Sequence, residues 1–140
     1  MKLSTKGRYG VKAMVDLAIH YGENPKSIKS ISESQNISEC YLEQLFSSLR
    51  KAGLIKSIRG AGGGYILNDK PENITIHKVL DVLEGPIEIS TCLDSSSCNN
   101  IECCATRVVW KKIKDSIDDV TKAITLQDIV NDYKKMSNKE

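Results

Sequence analysis

Ser38-Glu39-Cys40-Tyr41-Leu42-Glu43-Gln44-Leu45-Phe46-Ser47-Ser48-Leu49-Arg50-Lys51-Ala52-Gly53-Leu54-Ile55-Lys56-Ser57-Ile58-Arg59-Gly60-Ala61-Gly62-Gly63-Gly64-Tyr65-Ile66-Leu67 changes its hydrophobic period half-way. Leu42, Leu45, Phe46 and Leu49 stand at i, i+3, i+4 and i+7, the stripe of an amphipathic helix, with Ser38 as N-cap and Gly53 as stop. From Leu54 the pattern becomes two short β-prone runs, Leu54–Ile58 and Tyr65–Leu67, around a glycine-rich tip. That reads as a hairpin.

The flanking sequence extends the pattern. Val11, Met14, Val15, Ala18 and Ile19 predict a first helix, capped by Ser4 or Thr5 and stopped by Gly22. Ser27 opens a short second helix with Ile28 and Ile31 that ends near Gln35-Asn36. Helix, short helix, turn, helix and hairpin in that order is a winged helix-turn-helix. The expected class is therefore mainly α with a small β-hairpin wing. The third helix supports it with a polar face, Cys40, Glu43, Gln44, Ser47 and Lys51, opposite its apolar stripe. Gln pairs bidentately with adenine, Glu accepts from the cytosine amine, and Lys meets phosphate or guanine. An amphipathic helix always has a polar face, so it is the neighbouring elements that give this one meaning. Lys56 and Arg59 flank the bare tip, where an arginine can enter a narrow minor groove. A nucleotide cradle would lead from a strand into a helix, and here Tyr65 and a strand follow instead.

Beyond the hairpin, Thr75 caps a helix with Val79, Leu80, Val82 and Leu83, terminated by Gly85-Pro86. Residues 88–102 have no period. Val109, Ile113, Ile117, Val120 and Ile124 then approach a heptad seam on a long helix. A last helix starts at Thr125 with Asp128 in capping-box position, and Met136–Glu140 is expected to fray.

Composition bounds the function. The chain has 140 residues, 40% hydrophobic and 27% charged, which suits one domain or one small domain with an appendage. With one Trp and one Phe its core must be aliphatic. No apolar run reaches membrane-span length and no secretory signal opens the chain, so a cytoplasmic location with no membrane partner is expected. Residues 1–70 carry 11 Lys+Arg against 6 Asp+Glu, and residues 71–140 carry 9 against 12. A basic half that faces a polyanion and an acidic half with another task is the reading, divided as 1–70 DNA-binding domain and 71–140 sensor loop and dimerisation helices. Five cysteines is an odd number, and Cys92, Cys98, Cys103 and Cys104 fall within thirteen residues. In a reducing compartment that clustering points to metal binding or redox chemistry. A thiol oxidoreductase would want CxxC in a βαβ context, which is absent, so the chain is not expected to be an enzyme.

Lys6-Gly7-Arg8-Tyr9-Gly10, Tyr41–Leu45, Gly53–Tyr65 and Leu83-Glu84-Gly85-Pro86 resemble the IscR/CymR/NsrR family of bacterial winged-helix transcription regulators over nearly the whole chain. The resemblance implies a homodimer on a long C-terminal helix, bound to double-stranded promoter DNA. It implies that Glu43 and Gln44 read bases and that Arg59 enters the minor groove. Its cysteine loop is most similar to the IscR-like branch, which holds a [2Fe-2S] cluster on three cysteines and a histidine; Cys92-x5-Cys98-x5-Cys104 has that spacing. Thiolates suit such clusters. Where that branch has histidine this chain has Arg107, so the fourth ligand is open between Cys103, Arg107, water and a group from the other protomer. The NsrR-like branch holds [4Fe-4S], and in some of its members position 8 is a carboxylate ligand, here Arg8. The CymR-like branch has no cluster and works with cysteine synthase. A cluster-free regulator with that partner, or a thiol redox switch, therefore stand as alternatives.

Overall fold

A computed structural model describes residues 3–89 and 105–138. Among them are helices α1 (Thr5–Ile19), α2 (Ile28–Gln35) and α3 (Glu39–Lys51), strands β1 (Ile55–Ile58) and β2 (Gly64–Leu67), and helices α4 (Ile76–Glu84), α5 (Ala105–Ala123) and α6 (Leu126–Ser137). This is the mainly α architecture with a two-stranded wing that the sequence predicts. β1 and β2 pair antiparallel, Ile55 with Leu67 through Ile58 with Gly64.

Side-chain caps set the helix starts. Ser4, rather than Thr5, caps α1 by accepting from the Gly7 N–H at 3.4 Å. Ser27, Ser38 and Thr75 accept from Ser30, Tyr41 and Lys78 N–H groups, and Thr125 and Asp128 complete a reciprocal capping box. α1 stops at Ile19, before Gly22, which lies in the following turn with φ +87°. α6 continues through Met136 and Ser137, so fraying does not begin at Met136; Lys134 and Lys135 in its last turn suit the negative end of the helix dipole.

α1 lies at the centre. Gly7, Gly10, Ala13, Met14, Leu17 and Ala18 are buried, while Val11, Val15 and Ile19 are only half-buried. One core cluster joins α1 to Ile31, Leu42, Phe46, Leu49, Ile55, Leu67, Val79, Leu83, Leu126 and Val130, and so spans both sides of residue 70. Asp16 is also buried: its carboxylate accepts from Ser34 Oγ and, at 3.4 Å, from Gln35 Nε2, tying α1 to the end of α2. Asn36 adopts the left-handed conformation, φ 55°, that turns the chain from α2 towards α3.

Two backbone hydrogen bonds, Ile76 N–H to Ile124 O and Leu126 N–H to Ile74 O, both 2.9 Å, join the start of α4 to the α5–α6 junction. α5 differs from the other helices: none of its residues is buried. Its inner edge meets α4, where His77 Nδ1 lies 3.3 Å from Thr121 Oγ1 and 3.9 Å from an Asp118 carboxylate oxygen. Ile117 lines a cleft with Leu80 and Leu3 of its own chain. Val109 and Val120 remain 49% and 58% exposed, and Trp110 and Ile124 are exposed beside them.

Candidate nucleic-acid interface

α3 buries Leu42, Leu45, Phe46 and Leu49 and turns Cys40, Glu43, Gln44 and Lys51 to solvent, with Ser47 half-buried at the margin. Among the described residues none of these polar side chains forms an ion pair. The helix is braced from behind by Phe46 against Tyr65 of β2, ring centroids 4.8 Å apart and edge-on, and at its first turn by Tyr41 against Tyr9 of α1 at 5.9 Å. The polar face is thus held rigidly outward, as direct base readout requires.

Lys56 and Arg59 are exposed on the wing. The wing is anchored at its root by a feature that sequence reading missed. Lys26, in the α1–α2 connection, exchanges two backbone hydrogen bonds with Tyr65, 3.0 and 2.7 Å, and so adds a third edge to the hairpin. Gly64 belongs to that contact, because at φ +155° a Cβ there would collide with the Lys26 carbonyl. A single-residue bridge between elements distant in sequence has no periodic signal; the glycine is its only local mark. The wing therefore stands at a fixed orientation to α3, and Arg59 projects from a rigid base.

The proposed cysteine ligands Cys92, Cys98, Cys103 and Cys104 lie outside the described residues. Among the described residues no three His, Cys, Asp or Glu side chains converge to hold a metal ion, and Cys40 is a free, exposed thiol. His20 is engaged by Glu23 at 2.5 Å and faces Asp16 at 3.6 Å, and His77 is engaged at α5. Arg107 is in the first turn of α5, three positions after Cys104. Its Nε is buried and has no hydrogen-bond partner among the described residues. The side chain as a whole is half-buried.

A model of the Rrf2 family, described as iron-dependent transcriptional regulator, matches residues 3–132. The chain belongs to the Rrf2 family. CymR of Bacillus subtilis (strain 168), a helix-turn-helix-type transcriptional regulator, is 48% identical over 131 residues, covering 94% of this chain and 91% of that one. IscR of Pectobacterium atrosepticum, a regulator of the same type, is 43% identical over 94% of this chain and 80% of its own. Among solved structures, B. subtilis CymR, described as a global cysteine regulator, superposes with a TM-score of 0.80 at 45% identity, covering 94% of this chain and 97% of that one. T. potens IscR superposes with a TM-score of 0.79 at 49% identity, over 95% and 88%. The resemblance found in the sequence motifs is borne out, and so is the winged-helix class. This Rrf2 protein is a transcriptional regulator, not an enzyme, and DNA is its partner. No described helix is long and apolar enough to cross a membrane.

Proposed function

We propose that this Rrf2 regulator acts in the cytoplasm as a homodimer that reads promoter DNA through Glu43, Gln44, Ser47 and Lys51 of α3 and through Lys56 and Arg59 of the wing. In this reading, residues 1–70 serve DNA and residues 71–140 serve sensing and dimerisation. The observation that carries it is the pairing of an unpaired polar face on α3 with a wing rigidly rooted beside it. The homodimer is supported by α5, whose exposed Val109, Trp110, Val120 and Ile124 need a cover that the described residues of the protomer do not supply.

Control is assigned to the segment 92–104. Cys92, Cys98 and Cys104 would hold an iron–sulphur cluster, [2Fe-2S] by the IscR-like spacing, with Cys103 or Arg107 as candidates for the fourth position. When bound, the cluster supplies redox and iron sensitivity. The buried, unpartnered Nε of Arg107 supports an anionic neighbour there, and its permanent charge suits an electrostatic role better than a ligand's. Occupation would brace the junction between α4 and α5 and set the separation of two recognition helices, which half-sites about one helical turn apart require.

A cluster-free regulator working with a partner such as cysteine synthase is the second reading, favoured by the 48% identity to CymR over 91% of its length. Anaerobic purification with iron and sulphide counting and a visible spectrum separates the two. The first reading expects a coloured protein that loses its cluster on Cys92→Ala, Cys98→Ala or Cys104→Ala. A colourless, iron-free protein after anaerobic reconstitution moves the assignment to the second. Retention on Cys104→Ala with loss on Cys103→Ala would exchange those two roles, and retention in every single variant would end the cluster reading.

A further inference from the structure

Asp16 is the one buried charged side chain among the described residues, and both of its carboxylate oxygens face a partner. Oδ2 accepts from Ser34 Oγ and Gln35 Nε2 of α2, while Oδ1 faces His20 Nε2 at 3.6 Å. His20, the C-cap of α1, meets a second carboxylate on its other side, with Nδ1 2.5 Å from Glu23 Oε2. One imidazole is therefore held between two carboxylates through its two different ring nitrogens, and as imidazolium it donates to both. A cation here also suits the negative end of α1. The bracket joins three parts of the chain: α1 at His20, α2 through Asp16, and the α1–α2 connection at Glu23.

That connection is also where the wing is tied. Three residues after Glu23, Lys26 exchanges main-chain hydrogen bonds with Tyr65 of β2, and Pro25 stiffens the intervening chain by fixing its φ. His20, Glu23 and Lys26 line a cleft of about 300 Å³ together with Lys56 and Tyr65 of the wing. The Glu23 side chain is 62% exposed, so its ion pair adds little to folding stability. Its effect lies in where it holds the connection. We propose that His20 is a positioning residue for DNA recognition: bound to Glu23 on one side and to the Asp16 anchor on the other, it fixes the α1–α2 connection and with it the angle at which the wing presents Arg59. The inference rests on the winged DNA-binding reading and adds a residue that acts on DNA through the wing rather than by contact.

Wild type and variants are compared by thermal melting and by fluorescence anisotropy on a duplex that the wild type selects from a random pool, at fixed salt. His20→Leu is expected to bind about fivefold more weakly, and His20→Lys, whose ammonium can still serve carboxylates at i−4 and i+3, to stay within about twofold of wild type. In an Arg59→Ala background His20→Leu is expected to cost less than about twofold, because the arginine it positions is already gone. In a Glu43→Ala background it keeps its full effect. A general loosening of the fold would lower binding equally in both backgrounds, and that result overturns the inference. His20→Leu binding within about twofold of wild type overturns it as well, and so does His20→Lys binding as weakly as His20→Leu. Should His20→Leu not melt cooperatively, Glu23→Gln carries the test, since its exposed side chain is outside the core. Glu23→Gln is expected to bind about threefold more weakly with a nearly unchanged melting temperature. Binding equal to or tighter than wild type overturns the inference, because Glu23 would then act as a charge near DNA and not as a tether. If the wild type selects no duplex, or Arg59→Ala binds unchanged, the winged reading falls and takes the inference with it.

Discussion

In the proposed interface Glu43 and Arg59 would divide two kinds of recognition between them. Exposed on α3, Glu43 would discriminate by accepting hydrogen bonds from one base edge and by repelling phosphates elsewhere, so Glu43→Ala is expected to relax base choice more than it lowers affinity, by about 1–3 kcal/mol of discrimination. Arg59 would act through the potential of a narrow minor groove, so Arg59→Ala is expected to weaken binding with loss of preference for A·T-rich flanks. Gel-shift titrations of both variants against matched and mismatched duplexes at constant salt check the pair, and two wild-type profiles would remove this interface. Asp16 makes a different prediction. Its buried carboxylate receives Ser34 and Gln35 from α2; Asp16→Ala removes that acceptor from both and leaves Ser34 Oγ only the Ile31 carbonyl at 3.3 Å. A loss of about 1–3 kcal/mol is expected in urea unfolding. The polar face of α3 was legible from spacing alone, because one side of that helix faces water. Asp16 was not, nor was the burial of Ala13 and Leu17. α1 is enclosed by α2, α3, α4, α6 and the wing, so no single stripe marks its buried side.

The helices were legible where a capping side chain and an apolar stripe agree, as at Ser38 and Thr125. Their ends were less so: Gly22 falls after the end of α1, because the bonding tightens already at Tyr21, whose N–H donates to the Ala18 carbonyl three residues back at 3.2 Å. The apolar seam of α5 was legible as a seam, but its members divide. Ile117 turns towards Leu80 and Leu3 of the same chain, whereas Val109, Val120 and Ile124 face outward. Ile113→Asp is therefore the more discriminating probe of self-association, since it charges the seam away from the Ile117 cleft. It is expected to convert a dimer to a folded monomer in analytical ultracentrifugation, at a cost to association of several kcal/mol unless the carboxylate becomes protonated. A wild-type monomer at the same concentration would contradict the homodimer.

The charge division of the sequence and the packing of the protomer run on different lines. The basic excess ends near residue 70, yet Leu126 and Val130 of α6 enter the same core as Met14 and Phe46. Charge pattern reports what a surface meets, while the core reports what the apolar residues can reach, and α6 reaches back to α1. That return is invisible to periodicity, since it depends on the clasp between residues 74–76 and 124–126. The clasp gives α5 one fixed end. Its last turns are held by the two main-chain bonds and by Asp118 and Thr121 at His77, while its first turns carry exposed Val108, Val109 and Trp110. A 19-residue helix is roughly 28 Å long. α5 is thus a lever about that end: a pivot of roughly 10° at the clasp would carry its first turn about 5 Å, a small rotation amplified by the length of the beam. In the Ile113→Asp monomer, hydrogen exchange should be slowest at the amides of Ile76 and Leu126 and quicken steadily along α5 towards Trp110, and uniform protection along the helix would show that it is clamped at both ends.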